Sequence, residues 1–282
     1  MGSTKSLKVT GDVNSGKGST SLTTSTAGTL SIQQDITASF VYLHASQVVE
    51  NGAGAIDAGT LTGFAYRKVA LMGDNDIEYL GQFDATGESF SLNDTASLTV
   101  DGSLNGPVSL LLKVDGAGHN LTLRWYDQGA LSMDLVSSGA IIEARNDAVI
   151  AKYLKGSADG NVTLAAKNTI GTLESFATGN GAFLLRNTAN LDVTGHIDTG
   201  SGALTLLTQG SDCSISISGE LDTTGTLTLD STGEDLESPD AAIIANTLNV
   251  TAYTGIDLVA RRNKIAHLGT DKTRAGENKV KL

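Results

Sequence analysis

The side chains best suited to metal or acid–base chemistry are few and widely spaced in this chain. No histidine has a His, Cys or carboxylate partner at a local ligand spacing such as His-x-x-x-His. The four histidines are His44, His119, His196 and His267. We therefore predict surface or turn positions for all of them.

The single cysteine, Cys213, lies in the run DCSISIS, in phase with Ile215 and Ile217. This phase predicts an inward-facing and inert thiol, because a reactive one needs a neighbouring base or cation. One cysteine also excludes an intramolecular disulfide bond and a metal cluster built on thiolates.

A GDND run at residues 73–76 has the composition of a calcium loop. One repeat later the matching residues, 166–169, read AKNT and keep only the asparagine, so no calcium site is predicted. Asparagines recur at this turn in all three repeats, as Asn75, Asn168 and Asn263. We expect their side chains to bond to backbone groups of the turns.

An enzyme acting on polysaccharides would need carboxylates that converge from neighbouring coils. Most acidic residues lie next to turn formers, which predicts turn positions for them. These residues include Asp84, Asp94, Asp198, Asp222, Asp230, Glu234 and Asp235. A Gly-x-Ser-x-Gly nucleophile motif in a strand–turn–helix setting is absent from the sequence. We predict no catalytic, cofactor-binding or metal-binding residues and no enzyme activity, with a polysaccharide-active enzyme as an alternative.

Composition narrows the partners of the chain. Its 282 residues carry a net charge of −12, which disfavours a nucleic-acid partner because a phosphate backbone attracts basic surfaces. No window of about 18 apolar residues occurs, so no membrane span is predicted. The first residues, MGSTKSLKVT, lack the apolar region of a signal peptide.

A long repeat must position these residues. Ile77–Leu104 recurs at Ile170–Ile197 with a step of 93 residues, so that Leu80 and Phe83 match Leu173 and Phe176. The matches extend to a third copy, in which Ala252 corresponds to Ala65 and Ala158. We divide the chain into start residues 1–5 and one continuous solenoid of three modules, 6–96, 97–189 and 190–282, and expect it to be a segment of a longer array.

Short runs in which apolar and polar residues alternate predict strands of about 3–6 residues, each with one buried face. Within the third module, GHIDTGSGALTL and GELDTTGTLTL begin 24 residues apart, at Gly195 and Gly219. The sequence thus predicts an all-β parallel β-helix (β-solenoid) of roughly 12–14 coils, each of about 20–24 residues. A β-sandwich array and a β-propeller are weaker alternatives. The sandwich is disfavoured by only two prolines, few aromatic residues and no clear linkers.

Several motifs resemble the shaft repeats of filamentous haemagglutinin-type exoproteins, which are adhesins exported by two-partner secretion. They are the LGxF…TGxxxxLxxTxxLxVxGxL block, GHIDTGSGALTLLT, GELDTTGTLTLDSTG and IIANTLNVTAYTGIDL. The resemblance implies a right-handed parallel β-helix that serves as a structural or adhesive shaft at the bacterial cell surface, without catalytic residues. The family's secretion domain, with its Asn-Pro motifs, has no match here.

The resemblance also implies partners for the chain. They would be a host or bacterial surface glycan or protein, or other copies of the chain bound through the solenoid ends. A self-assembling filament subunit is a further alternative.

Overall fold

The computed structural model describes residues 5–124, 130–144, 147–274 and 280–281, and within these ranges it contains strands and no helix. The strands belong to parallel stacked coils that form a β-solenoid of about 12 turns, which confirms the predicted fold class. The chain divides into two compact units, Met1–Gly139 and Ala140–Leu282.

Each unit contributes about half of the strands. Unit 1 contains β1 Leu7–Val9, β2 Val13–Thr23, β3 Thr29–Ile32, β4 Ile36–Ala45, β5 Gln47–Glu50, β6 Ile56–Ala65, β7 Lys68–Ala85, β8 Ser89–Asp94, β9 Leu98–Val100, β10 Leu104–Asn105, β11 Ser109–Val114, β12 Leu121–Leu123 and β13 Ala130–Ser137. Unit 2 contains β14 Ile141–Glu143, β15 Ile150–Ala158, β16 Val162–Ala177, β17 Phe183–Asn187, β18 Leu191–Val193, β19 His196–Asp198, β20 Leu204–Thr208, β21 Ile215–Ile217, β22 Glu220–Asp230, β23 Glu234–Glu237, β24 Ala242–Ala252, β25 Gly255–Asp257, β26 Lys264–Thr273 and β27 Val280–Lys281.

Parallel ladders place equivalent residues of successive coils above one another. In unit 1 one interior column runs Leu30, Val48, Val69, Phe90, Leu110 and Met133. In unit 2 the corresponding column runs Ile141, Val162, Phe183, Leu204, Leu227 and Leu248. All of these side chains are buried, so the core of each unit is a set of continuous apolar stacks.

Several strands are much longer than the predicted 3–6 residues. The strand β7 has 18 residues and β16 has 16, because the chain stays extended while it passes from one ladder to the next. Gly73 lies within β7, and a Cβ atom there would come within 2.4 Å of the Gly54 carbonyl oxygen. Only glycine fits this close approach between coils.

An aromatic pair fills the interior at the same place in each unit. Phe83 packs edge-on against Phe90, with ring centroids 5.1 Å apart, and Phe176 packs against Phe183 at 5.0 Å. Phe83 lies beside Gly63 in register, and a Cβ at Gly63 would come within 2.5 Å of the ring. The missing side chain at Gly63 therefore provides the volume that Phe83 occupies.

Candidate functional site

A group of aromatic side chains lies on the outer face of unit 1. Phe40, Tyr42 and His44 alternate outwards along β4, and Phe64 and Tyr66 follow at the end of the next coil. We call these five residues the aromatic patch. Outward residues of a strand need no apolar partner, so a concentration of rings here is not required by folding.

The rings of the aromatic patch contact one another across the two coils. His44 meets Phe64 at 5.5 Å between centroids, and Phe64 meets Tyr66 at 4.5 Å, both in edge-to-face arrangements. Tyr42 lies 6.4 Å from His44. Phe40 and Tyr66 keep 39% and 38% of their surface exposed, whereas the other three side chains are half-buried.

The in-register neighbours of the aromatic patch are mostly small hydroxyl residues. Ser19 and Thr60 flank Phe40, Ser21 and Thr62 flank Tyr42, and Thr23 lies beside His44. Asp84, beside Phe64, is the charged in-register neighbour, and its Oδ1 accepts a 2.6 Å hydrogen bond from Asn105 Nδ2. The surface is thus apolar rings bordered by hydroxyl groups.

A different cluster lies on an outer face of unit 2. His196, Glu220 and Asp222 each offer a ligand-type atom, and these atoms all lie within 4.8 Å of one another. His196 and Glu220 are in-register neighbours on β19 and β22, and Asp198 pairs in the same way with Asp222. Three such donors could hold a divalent transition metal through one imidazole nitrogen and two carboxylate oxygens.

Cations of the protein already neutralise part of this acidic cluster. Arg262 Nη2 lies 3.1 Å from Glu220 Oε2. Desolvation and the charge of Asp198 raise the pKa of Asp222, while His196 and Lys264 act in the opposite direction. The cluster is therefore an ion-pair network in its own right.

A shallow cleft of about 340 Å³ lies next to this cluster in the sequence. It is lined by residues of β18, β21 and β23 and of the turns that follow them: Asp192, Thr194, Ser216, Ile217, Ser218, Leu236, Glu237 and Ser238. Asp192, Ser216 and Leu236 form one in-register row across it. Hydroxyl and carboxylate groups around an exposed leucine could hold a small polar ligand.

The best-formed polar contacts are internal and recur three times. Glu50 Oε2 accepts hydrogen bonds from Gly73 N (2.6 Å) and Asn75 Nδ2 (3.2 Å), and Asn75 Oδ1 accepts one from Ile56 N (2.7 Å). Glu143 with Asn168, and Glu237 with Asn263, form the same arrangement. We call each of these a Glu–Asn latch; it satisfies buried backbone donors and ties successive coils together.

The latches confirm the expected role of the three asparagines and add a partner that the sequence analysis missed. Each glutamate precedes its asparagine by 25 or 26 residues, slightly more than one coil. Recurrence of this spacing at Glu50, Glu143 and Glu237 was the available signal.

Burial leaves several carboxyl groups with unusual acidity. Desolvation raises the pKa of Glu50 and of Glu143 from 4.5 to about 7, and that of Asp94 from 3.8 to about 7. Asp235 is fully buried between Ile215 and Ile256, and burial raises its pKa to about 7 as well. These groups lie inside the coils, which suits a structural role better than contact with a substrate.

The structure corrects the predicted turn positions of the acidic residues. All seven residues named above lie within strands, and Asp94 and Asp235 are fully buried. Turn-forming composition misled the prediction because the chain remains extended through its corners. The expected burial of Cys213 is confirmed, since only 7% of it is exposed.

His196 is exposed, as expected, but it acquires carboxylate neighbours that a local search could not find. Glu220 lies 24 residues away, one coil further on. The 24-residue step between GHIDTG and GELDTTG was the signal for this proximity.

Comparison with models of known families, with curated proteins and with solved structures gives no match to this chain. Among the described residues, no helix is long and apolar enough to cross a membrane. The likeness to haemagglutinin-type shafts rests on the repeat motifs themselves.

Proposed function

We propose that the chain is a non-enzymatic shaft segment of a secreted bacterial surface protein, similar in role to filamentous haemagglutinin-type adhesins. Its work is to form a stiff scaffold that presents outer surfaces to a glycan or protein partner. The carrying observation is the continuous stacking of apolar columns in each unit, reinforced by the recurring Glu–Asn latches. Such a core supplies stiffness without a buried reaction site.

Thermal unfolding of chains with one, two and three modules tests this proposal. In a stacked array each coil is stabilised by its neighbours, so the melting temperature should rise with module number. Equal melting temperatures for one and three modules would contradict a continuous scaffold.

A glycan-active enzyme is the second candidate, and the His196–Glu220–Asp222 cluster beside the cleft favours it. Glu220 and Asp222 are close enough for a pair of catalytic carboxylates, which in retaining glycosidases lie about 5–5.5 Å apart. The Arg262 ion pair on Glu220 counts against it, because it holds that carboxylate in its charged form.

Reducing-sugar release from a panel of neutral and acidic polysaccharides separates the two candidates. A scaffold releases none. Release that is lost in both Glu220→Gln and Asp222→Asn would establish the enzyme instead.

A further inference from the structure

We propose that the aromatic patch of unit 1 binds a neutral polysaccharide chain. This proposal rests on the scaffold function proposed above and specifies the class of partner that one outer face takes. It comes from the composition, contacts and charge of the patch.

The rings form an apolar surface that the fold does not need. Four aromatic residues and one histidine lie on two adjacent coils of a chain that is only 5% aromatic. The core aromatic pairs are elsewhere, at Phe83–Phe90 and Phe176–Phe183. Edge-to-face contacts hold His44, Phe64 and Tyr66 in place, so a ligand meets a preorganised surface.

The border of the patch supplies the complementary polar groups. Serine and threonine hydroxyls flank Phe40 and Tyr42 on both neighbouring coils. A sugar ring has C–H groups that pack on aromatic rings and hydroxyl groups that exchange hydrogen bonds with such side chains. The adjacent coils are about 4.8 Å apart, a span comparable to one sugar ring.

Charge and size argue for a neutral glycan over other occupants. The patch offers no lysine or arginine among its in-register neighbours, and its charged neighbour Asp84 is acidic, so an anionic glycan would find no counter-charge. A second copy of the chain would need about 800 Å² of contact on each side. Only Phe40 and Tyr66 expose more than a third of their surface, which is too little apolar area for that interface.

The third module provides a matched control. By the alignment of Ala65 with Ala252, Tyr253 stands where Tyr66 does, and Thr251 stands where Phe64 does. Tyr253 is 47% exposed, so it presents an isolated ring of similar accessibility. The natural threonine at residue 251 also shows that Phe64→Thr places an acceptable residue on an outer strand position.

The experiment is native affinity electrophoresis of the full chain in gels containing hydroxyethylcellulose, xyloglucan, galactomannan or polygalacturonate. We expect retardation by at least one of the three neutral polymers and none by polygalacturonate. Phe64→Thr and Tyr66→Ser should each weaken the retarding interaction at least tenfold, and Tyr253→Ser should leave it unchanged. Circular dichroism and thermal unfolding of each variant verify that the fold persists.

Three results would overturn the proposal. They are no retardation by any neutral polymer, retardation by polygalacturonate alone, or an equal loss in Tyr253→Ser. Sedimentation that shows a dimer dissociated by Tyr66→Ser would assign the patch to a second copy and would overturn it too. Failure of binding with an unchanged dependence of melting temperature on module number leaves the scaffold function standing, so the two failures are distinguishable.

Discussion

The interiors of the two units are closely alike, whereas their outer faces differ in chemistry. The Phe83–Phe90 and Phe176–Phe183 pairs have ring planes inclined at 69° and 62° and nearly the same separation. Outside, unit 1 carries the aromatic patch, and unit 2 carries the His196–Glu220–Asp222 cluster with its cleft. Stacking constrains every inward side chain through two neighbours, while an outward side chain is free to vary, so individual function belongs to the outer faces.

The largest expected effect tests the likeness of the two interiors. Phe83→Ala and Phe176→Ala should each lower the free energy of unfolding by about 3–5 kcal/mol, because a fully buried ring is lost and a cavity remains. Urea unfolding measures both. Costs that differ by more than about 2 kcal/mol would show that the two sites relax differently.

The buried carboxyl groups should make the chain more stable in mild acid. Their folded pKa values of about 7 exceed the unfolded ones, so between about pH 4 and 7 the folded chain binds more protons than the unfolded chain. The free energy of unfolding should therefore fall as the pH rises through this range, by up to about 1.4 kcal/mol per pKa unit for each group. Melting temperatures at pH 5 and pH 8 measure the difference.

Two variants assign this pH dependence. In unit 1 Asp94 accepts from Ile77 N where Asn187 of unit 2 accepts from Ile170 N, so Asp94→Asn should be tolerated and should reduce the slope. Asp235→Val should also reduce it and should stabilise the chain most at pH 8, because it removes a charge from an aliphatic stack. A slope unchanged in both variants would refute the role of these groups.

The Glu–Asn latches should contribute comparably in the two units. Asn75→Ala and Asn168→Ala should each cost about 1–3 kcal/mol, because each leaves a buried backbone N–H and a carboxylate oxygen without a partner. Asn263→Ala should cost less, since Asn263 is only half-buried. Denaturant titration of the three variants tests this order, and a larger cost at Asn263 would reverse it.

The smallest effect is expected outside. Arg67 and Glu88 form a 3.0 Å ion pair in which both side chains are 58% exposed. Glu88→Gln should change the free energy of unfolding by no more than about 0.5 kcal/mol, with salt masking the remainder. A cost close to that of Asn75→Ala would contradict the distinction between inside and outside.

The solenoid itself was predictable because its signals are local or strictly periodic. Alternation in runs such as Leu98–Val100 indicates strands, and the step from Gly195 to Gly219 indicates the coil length. Contacts between coils depend on register, which varies from 18 to 23 residues between Leu30, Val48 and Met133. The latch glutamates, the position of Asp235 and the gathering of the aromatic patch could not be read without that register.

Each latch also creates a natural reporter of local opening. The amide protons of Ile56, Val149 and Ile243 are held by a side-chain oxygen and not by a strand neighbour. Their exchange with deuterated solvent would follow the breakage of one asparagine contact in each of three places along the chain. Three single-residue exchange rates would thus map where the wall of the solenoid breathes first, without any label being added.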